Sequence, residues 1–381
     1  MRVALVTRLD PRDPSSWSGT PNSIYRALLR IGHDVSLAAA PVSTPRSEVL
    51  RRWERVRNSA TRAKYSAFLS PGVVRSLSRA AARAIRESNA DVVLALDAVP
   101  IAALEPDRPL VMWGDVCFAG MVGYYRDYAQ LSKASVSWGH AVARGALAAC
   151  THAVYASEWA AAAAARAYRV PPQRLHVVPF GANLESPPSR SDVQTALAAR
   201  LTANCQLLLV GVDWERKGVD DAIEATRLVR MAGVPAELHV VGCHPPANGL
   251  LPDWVTVHGA LHKTDPLSWA RLRHLYSASH FFILPTKAEC FGVVFAEASA
   301  FALPSLAPAT GGVPSALVNG VNGWLLPEGA LPNDYATAIL TTLRDQRRYR
   351  ELCATARNDY ETRLNWAVCV RRVLDLVSAI P

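Results

Sequence analysis

Apolar and polar positions in this chain alternate in blocks: a short apolar run, a Gly- or Pro-bearing turn, then a stretch with helical spacing. The runs at 3–7, 34–39, 91–96, 109–113, 153–156 and 175–179 predict strands of the kind buried in parallel sheets. Between them, helical spacing predicts helices over 22–31, 137–149 and 160–168, the first stopped by Gly32 and the last capped by Ser157. A Ser- and Pro-rich stretch from 184 reads as a linker. A second series follows, with strands at 206–210, 237–241, 255–258 and 281–284 and helices over 220–231 and 269–277. Repeated strand–helix units predict two parallel sheets covered by helices, joined by right-handed crossovers. The tail predicts a helix over 335–357 and a last one over 364–377, suited to packing across a domain surface.

Length and composition sharpen this picture. A chain of 381 residues is long enough for two domains. It has no run of 18 uncharged apolar residues, which excludes a transmembrane helix, and its first apolar run is too short for a signal peptide. Seven cysteines without CxxC spacing predict reduced core thiols and a cytoplasmic chain rather than a disulfide frame or zinc site. Cys290 reads as structural rather than nucleophilic.

Charge is localised. Residues 46–86 hold eleven Arg or Lys against Glu48 and Glu54, which equals the whole formal excess of +9. With Trp53, Tyr65, Phe68 and Leu69 interleaved, the segment fits a peripheral contact with anionic membrane or an anionic acceptor. It fits equally a solvated helical face with arginine stems lying on apolar surface. Nucleic acid is the weaker reading, since no recognition motif accompanies the charge.

Candidate chemistry concentrates in residues 284–323. After the run ending at Leu284 come a polar loop with Glu289, then Phe291-Gly292, then a helical pattern from Val293 carrying Glu297. Seven residues separate the two glutamates. Glycine at a helix start lets a phosphate approach main-chain N–H groups. Glu297 lies about 6 Å further along the axis at roughly 1.5 Å per residue. The pattern predicts a nucleotide-sugar site with Glu289 toward the sugar, the helix N-terminus toward phosphate and Glu297 toward ribose. The competing reading is two solvated surface carboxylates.

Arg216-Lys217, in the turn after the strand at 206–210, would supply cations for a diphosphate leaving group. Asp213-x-Glu215 beside them is too little for a metal site, and no metal is expected. Asp115 follows the strand at 109–113, where open α/β sheets bind ligands; it could equally cap the next helix.

With these residues in place the chain resembles the retaining GT-B glycosyltransferases of family 4, the large class similar to glycogen synthase and sucrose synthase. The resemblance rests on Glu289 and Glu297, Phe291-Gly292, Gly311-Gly312-Val313-Pro314, Asn319-Gly320-Val321-Asn322-Gly323, Arg216-Lys217-Gly218 and 179–183. In the first half only the layout matches, with Gly19 at the expected glycine loop. The resemblance implies an α/β GT-B fold: two Rossmann-like domains with a cleft between them and a C-terminal helix crossing back. The acceptor domain would be 1–183 with 361–381, and the donor domain 184–360. Glu289, Phe291, Gly292, Val293, Glu297, Arg216, Lys217, Lys263 and Gly19 would bind the donor, with Glu289, Asp115, Arg216 and Lys217 as the catalytic set. Asp115 stands where many relatives carry a histidine, and Asp115 with Phe118 would then touch donor or acceptor. Ser315 stands where many have an acidic residue.

The implied function is retaining, metal-independent and cofactor-independent transfer of a hexose from a nucleoside-diphosphate sugar to a hydroxyl acceptor: glycan, glycolipid or small-molecule glycoside. Alternatives on the same fold are a nucleotide-sugar epimerase, a phosphorylase or a non-catalytic sugar-binding partner.

Overall fold

The computed structural model describes residues 1–38, 52, 54, 56–59, 61, 63–201, 204–246 and 250–378. Its contacts divide the chain into two compact units, Met1–Val178 with Cys369–Pro381, and Pro179–Val368.

Among the described residues the first unit carries six parallel strands: β1 (Arg2–Val6), β2 (Asp34–Leu37), β3 (Val92–Ala95), β4 (Leu110–Gly114), β5 (His152–Tyr155) and β6 (Leu175–Val177). Their order is β2-β1-β3-β4-β5-β6. Val3, Leu5, Val93 and Leu94 are wholly buried, as strands covered on both faces require. The chain runs outward from β1 to β2 and returns to the other side of β1 at β3. The carboxyl ends of β1 and β3 therefore flank the switch point, where parallel α/β sheets open a crevice.

The second unit repeats the plan with β7 (Cys205–Val210), β8 (Ala236–Val241), β9 (Val255–Val257), β10 (Phe281–Ile283), β11 (Ser305–Pro308) and β12 (Gly323–Leu326). All pairings are parallel, in the order β12-β11-β10-β7-β8-β9, the Rossmann arrangement. Its switch point lies between β7 and β10, where Phe281 pairs with Leu207.

Several elements differ from the sequence reading. β11 and β12 were not predicted, because β11 is four residues with Pro304 before it and Pro308 at its end, and β12 begins at a glycine. The tail helix expected over 335–357 is two helices, Pro332–Arg344 and Gln346–Thr362. Asp345 interrupts it, accepting from the main-chain N of Arg348 at 3.0 Å as the cap of the second. The helix expected over 269–277 starts at Pro266, capped by Asp265.

The unit boundaries also fall elsewhere than 183/184 and 360/361. The first is at Val178/Pro179 and the second at Val368/Cys369. Phe180 is buried between Phe291 (ring centroids 5.7 Å) and Trp366 (5.5 Å). Ala182 N donates to Leu364 O at 2.9 Å, and Trp366 Nε1 to Asn183 Oδ1 at 3.0 Å. These bonds fasten residues 180–183 and 364–366 to each other, both within the second unit.

Of the basic segment, residues 46–51, 53, 55, 60 and 62 lie outside the described residues. Its longest described element is the helix Pro71–Glu87, which buries Val74, Leu77, Ala81 and Ile85 and exposes Arg75, Arg79, Arg83 and Arg86. Spacings of four, four and three keep these arginines within an arc of about 80°, at 3.6 residues per turn.

Candidate active site

The loop after β7 is a tight turn built by Asp213. Its carbonyl accepts from Lys217 N at 2.9 Å and its carboxylate from Arg216 N at 3.0 Å. Gly218 closes the turn in the left-handed region (φ +68°) and caps the helix Val219–Met231. A Cβ there would sit 2.0 Å from Pro285 O on the loop after β10, so only glycine allows the two loops to touch. They are joined by one main-chain bond, Lys287 N donating to Arg216 O at 2.8 Å, and by two side-chain donors, Thr286 Oγ1 to the same oxygen at 3.2 Å and Arg216 Nη1 to Ala288 O at 3.0 Å.

This junction brings Arg216 and Lys217 onto Glu289. Lys217 Nζ ion-pairs with Glu289 Oε2, and Arg216 Nη1 stands 3.9 Å from the same oxygen. The side chains of Lys217 and Glu289 are only 9% and 13% exposed, and that of Arg216 26%. Such an enclosed cluster keeps its charges in place before any ligand arrives. Glu289 O accepts from Gly312 N at 2.9 Å, tying the loop to the second glycine turn. The reading of Glu289 as a solvated surface carboxylate is thereby overturned.

Gly292 (φ +85°) caps the helix Val293–Ala300; a Cβ would lie 2.5 Å from the Phe295 ring and 3.2 Å from Glu289 Cγ. Phe291 is buried, and Val293 opens the helix half-buried. Four residues on, Glu297 is 2% exposed, so it too is no surface charge. Its Oε1 is ion-paired with Lys263 Nζ, and its Oε2 accepts from the Tyr276 hydroxyl at 3.0 Å. Lys263 Nζ also donates to Asn183 O at 3.0 Å. Burial, and then the adjacent Glu297 carboxylate, push the Tyr276 phenol well above its usual range.

The remaining predicted residues lie in the first unit. Gly19 (φ +88°) ends the loop after β1 and caps the helix Thr20–Arg30, preceded by two further left-handed residues, Trp17 and Ser18. Asp115 directly follows β4, half-buried, and does not cap the next helix, whose N-cap is Cys117. Phe118 is buried, its ring against those of His140 (centroids 5.1 Å) and Tyr128 (6.2 Å). The seven cysteines are buried free thiols. Asp213 faces the Arg216 guanidinium at 3.6 Å, and among the described residues no three His, Cys, Asp or Glu cluster as a metal site would.

Two groups escaped the sequence reading. Tyr276 lies in the apolar stripe Leu272–Leu275–Tyr276 and carries no signal distinguishing it from core. Arg8 and Asp97, at the carboxyl ends of β1 and β3, form an ion pair at the first unit's switch point; only their position after buried strands could have marked them.

Comparison with known proteins fits this geometry. Residues 22–186 match the family described as Glycosyltransferase Family 4, and residues 204–345 the family described as Glycosyl transferases group 1. A D-inositol 3-phosphate glycosyltransferase of Nocardiopsis dassonvillei is 32% identical over 224 residues, covering 54% of this chain and 50% of that protein. The chain spans about half the length of the curated relatives it matches. The sucrose-phosphate synthase of Thermosynechococcus elongatus superposes with a TM-score of 0.68 at 17% identity, over 99% of this chain and 98% of that one. Anabaena HepE, solved in complex with UDP-glucose, does so with 0.64 at 16% identity over the whole of both chains. At such identities the superpositions speak for the fold alone, which is GT-B. The chain belongs to the group 1, family 4 glycosyltransferases of GT-B fold.

Proposed function

We propose that this protein is a retaining glycosyltransferase that moves a sugar from a nucleoside-diphosphate sugar to a hydroxyl acceptor. The observation that carries the reading is the cluster of Arg216, Lys217 and Glu289 at the β7/β10 switch point, beside the N-terminus of the helix Val293–Ala300. A diphosphate over that helix end would meet main-chain N–H groups and two guanidinium or ammonium cations. These charges would stabilise the negative charge that grows on the leaving phosphate, so the reaction would need no metal. Glu289 would accept from hydroxyls of the transferred sugar, and Glu297 from the ribose.

In the proposed step the bond from the anomeric carbon to the phosphate oxygen breaks as the acceptor oxygen bonds to that carbon on the same face. The acceptor proton passes to the departing phosphate oxygen, so configuration is retained and no side-chain base is required. We further propose a cytoplasmic protein, supported by seven free thiols. It would contact anionic membrane through Arg75, Arg79, Arg83 and Arg86. Among the described residues no helix is long and apolar enough to cross a membrane.

The UDP-glucose bound by HepE and the name of the Nocardiopsis relative choose the first compounds to test: UDP-glucose as donor and inositol 3-phosphate as acceptor. A thermal-shift screen of nucleotide sugars tests the reading, because a ligand at a hundred times its Kd stabilises the folded state by about 2.7 kcal/mol. A melting temperature unmoved by every nucleotide sugar would refute it.

A further inference from the structure

Glu297 is a carboxylate on the second turn of a helix, nearly sealed from water, with a different partner on each oxygen. On Oε2 the partner is Tyr276, wholly buried, projecting from the helix Pro266–Ala278. Its ring is fixed between Phe301 (centroids 5.1 Å, planes 12° apart) and Phe282 (6.4 Å, 22°). On Oε1 the partner is Lys263, whose side chain is 33% exposed and which is itself anchored on Asn183 O. The inner partner is thus packed and closed off from solvent, and the outer one is partly open to it.

An ionised carboxylate has about four acceptor positions, two on each oxygen. Tyr276 and Lys263 occupy one on each oxygen, leaving one on each for a ligand. A pair of adjacent hydroxyls, such as a ribose diol, matches that pattern. A phenylalanine would fill the space of Tyr276 equally well, so packing does not account for the hydroxyl, and burying a hydroxyl is costly unless it is bonded. Here its bond is to Glu297. The raised phenol keeps its proton at any working pH and always donates.

Resting on the donor-site reading above, we propose that Tyr276 is the positioning residue of the nucleotide-ribose clamp: its hydroxyl fixes the Glu297 carboxylate in the orientation that accepts a ribose diol, while Lys263 covers the outer oxygen. Tyr276 touches no substrate in this scheme and acts through Glu297. Its removal should therefore erase discrimination for the ribose hydroxyls rather than weaken every contact to the nucleotide.

The test is calorimetric titration of UDP, GDP and ADP, each beside its 2′-deoxy counterpart, into the full chain and into Tyr276→Phe. For the nucleotide that binds, the wild type should favour the ribo form by about tenfold or more, the ratio expected when a hydrogen bond to a charged group is lost. In Tyr276→Phe that ratio should fall to about threefold or less while the affinity for the deoxy form holds. An unchanged ratio in a folded variant overturns the proposal alone. A wild type that binds none of the three overturns the donor-site reading and this proposal with it. Should Tyr276→Phe fail to fold, Phe301→Leu keeps the hydroxyl and loosens the ring stack: a reduced ratio supports the proposal and an unaltered one overturns it.

Discussion

Lys217, from the turn after β7, and Glu289, from the loop after β10, form an ion pair across the two strands whose adjacency creates the switch point of the second unit. Neither residue is near the other in sequence. Their meeting depends on Gly218, which lets one loop lie against the carbonyl of Pro285, and on bonds from the Lys287 main-chain N and the Thr286 hydroxyl to Arg216 O. The charge arrangement is therefore a product of the fold and not of local flexibility.

Because the pair is enclosed, its two members should be energetically coupled. Lys217→Met removes the closer cation of the pair, leaves Arg216 Nη1 3.9 Å from Glu289 and should cost about 3 kcal/mol of stability. Adding Glu289→Gln removes the stranded charge and should recover more than half of that loss. Urea denaturation of the single and double variants measures the coupling, and additive losses would contradict it.

Gly218 and Gly233 both have positive φ, but only Gly218 faces a backbone atom where a Cβ would stand; Gly233 opens onto empty space. Alanine at 233 should cost only the conformational penalty, about 1–2 kcal/mol. Gly218→Ala should cost clearly more and lower Tm by several degrees beyond Gly233→Ala, as scanning calorimetry would report. Equal shifts would show that the loops can part without loss.

The two-sheet plan was legible because buried parallel strands leave apolar runs between turn residues. Glu289, Arg216 and Lys217 were legible because loops after such strands point into a crevice. What sequence could not show was pairing. Nothing local tells that Glu297 meets Tyr276 and Lys263 from two other elements, or that Phe180 and Trp366 share one packing site. β11 and β12 were missed because Pro304 and Pro308 bracket the one and Gly320 and Gly323 open the other, so turn residues mask their apolar runs.

Stability should fall on acidification through two histidines of the second unit. Burial, as the largest cause, depresses both His258 and His280 to about 4. His280 accepts from Gln206 N through Nδ1 (3.1 Å) and lies 2.7 Å from Arg200 O through Nε2, which fixes the neutral tautomer with its proton on Nε2. In the unfolded chain both titrate near 6.5. Between pH 6.5 and about 4 the unfolded state therefore binds more protons, and stability present above 6.5 drains away as pH falls through that window. Urea midpoints should decline across it, and His258→Gln should flatten the decline. A pH-independent midpoint would contradict this.

The arginine face of the helix Pro71–Glu87 should bind anionic bilayers. Vesicles rich in phosphatidylserine should co-sediment the protein, vesicles of phosphatidylcholine should not, and raised salt should release it. Reversing Arg75, Arg79 and Arg83 to Glu should abolish binding without unfolding the chain, since all three are exposed. Equal binding by the reversed variant would rule this surface out.

The central claim is that Glu289 works on the donor sugar at the β7/β10 switch point. Its most direct test is the turnover of Glu289→Gln against wild type, using the nucleotide sugar that gives the largest thermal shift and inositol 3-phosphate as first acceptor. The substitution keeps the side chain's shape and an acceptor for Lys217. Turnover should fall by on the order of 10²–10³-fold with the fold retained. Transfer at the wild-type rate by Glu289→Gln would contradict the account.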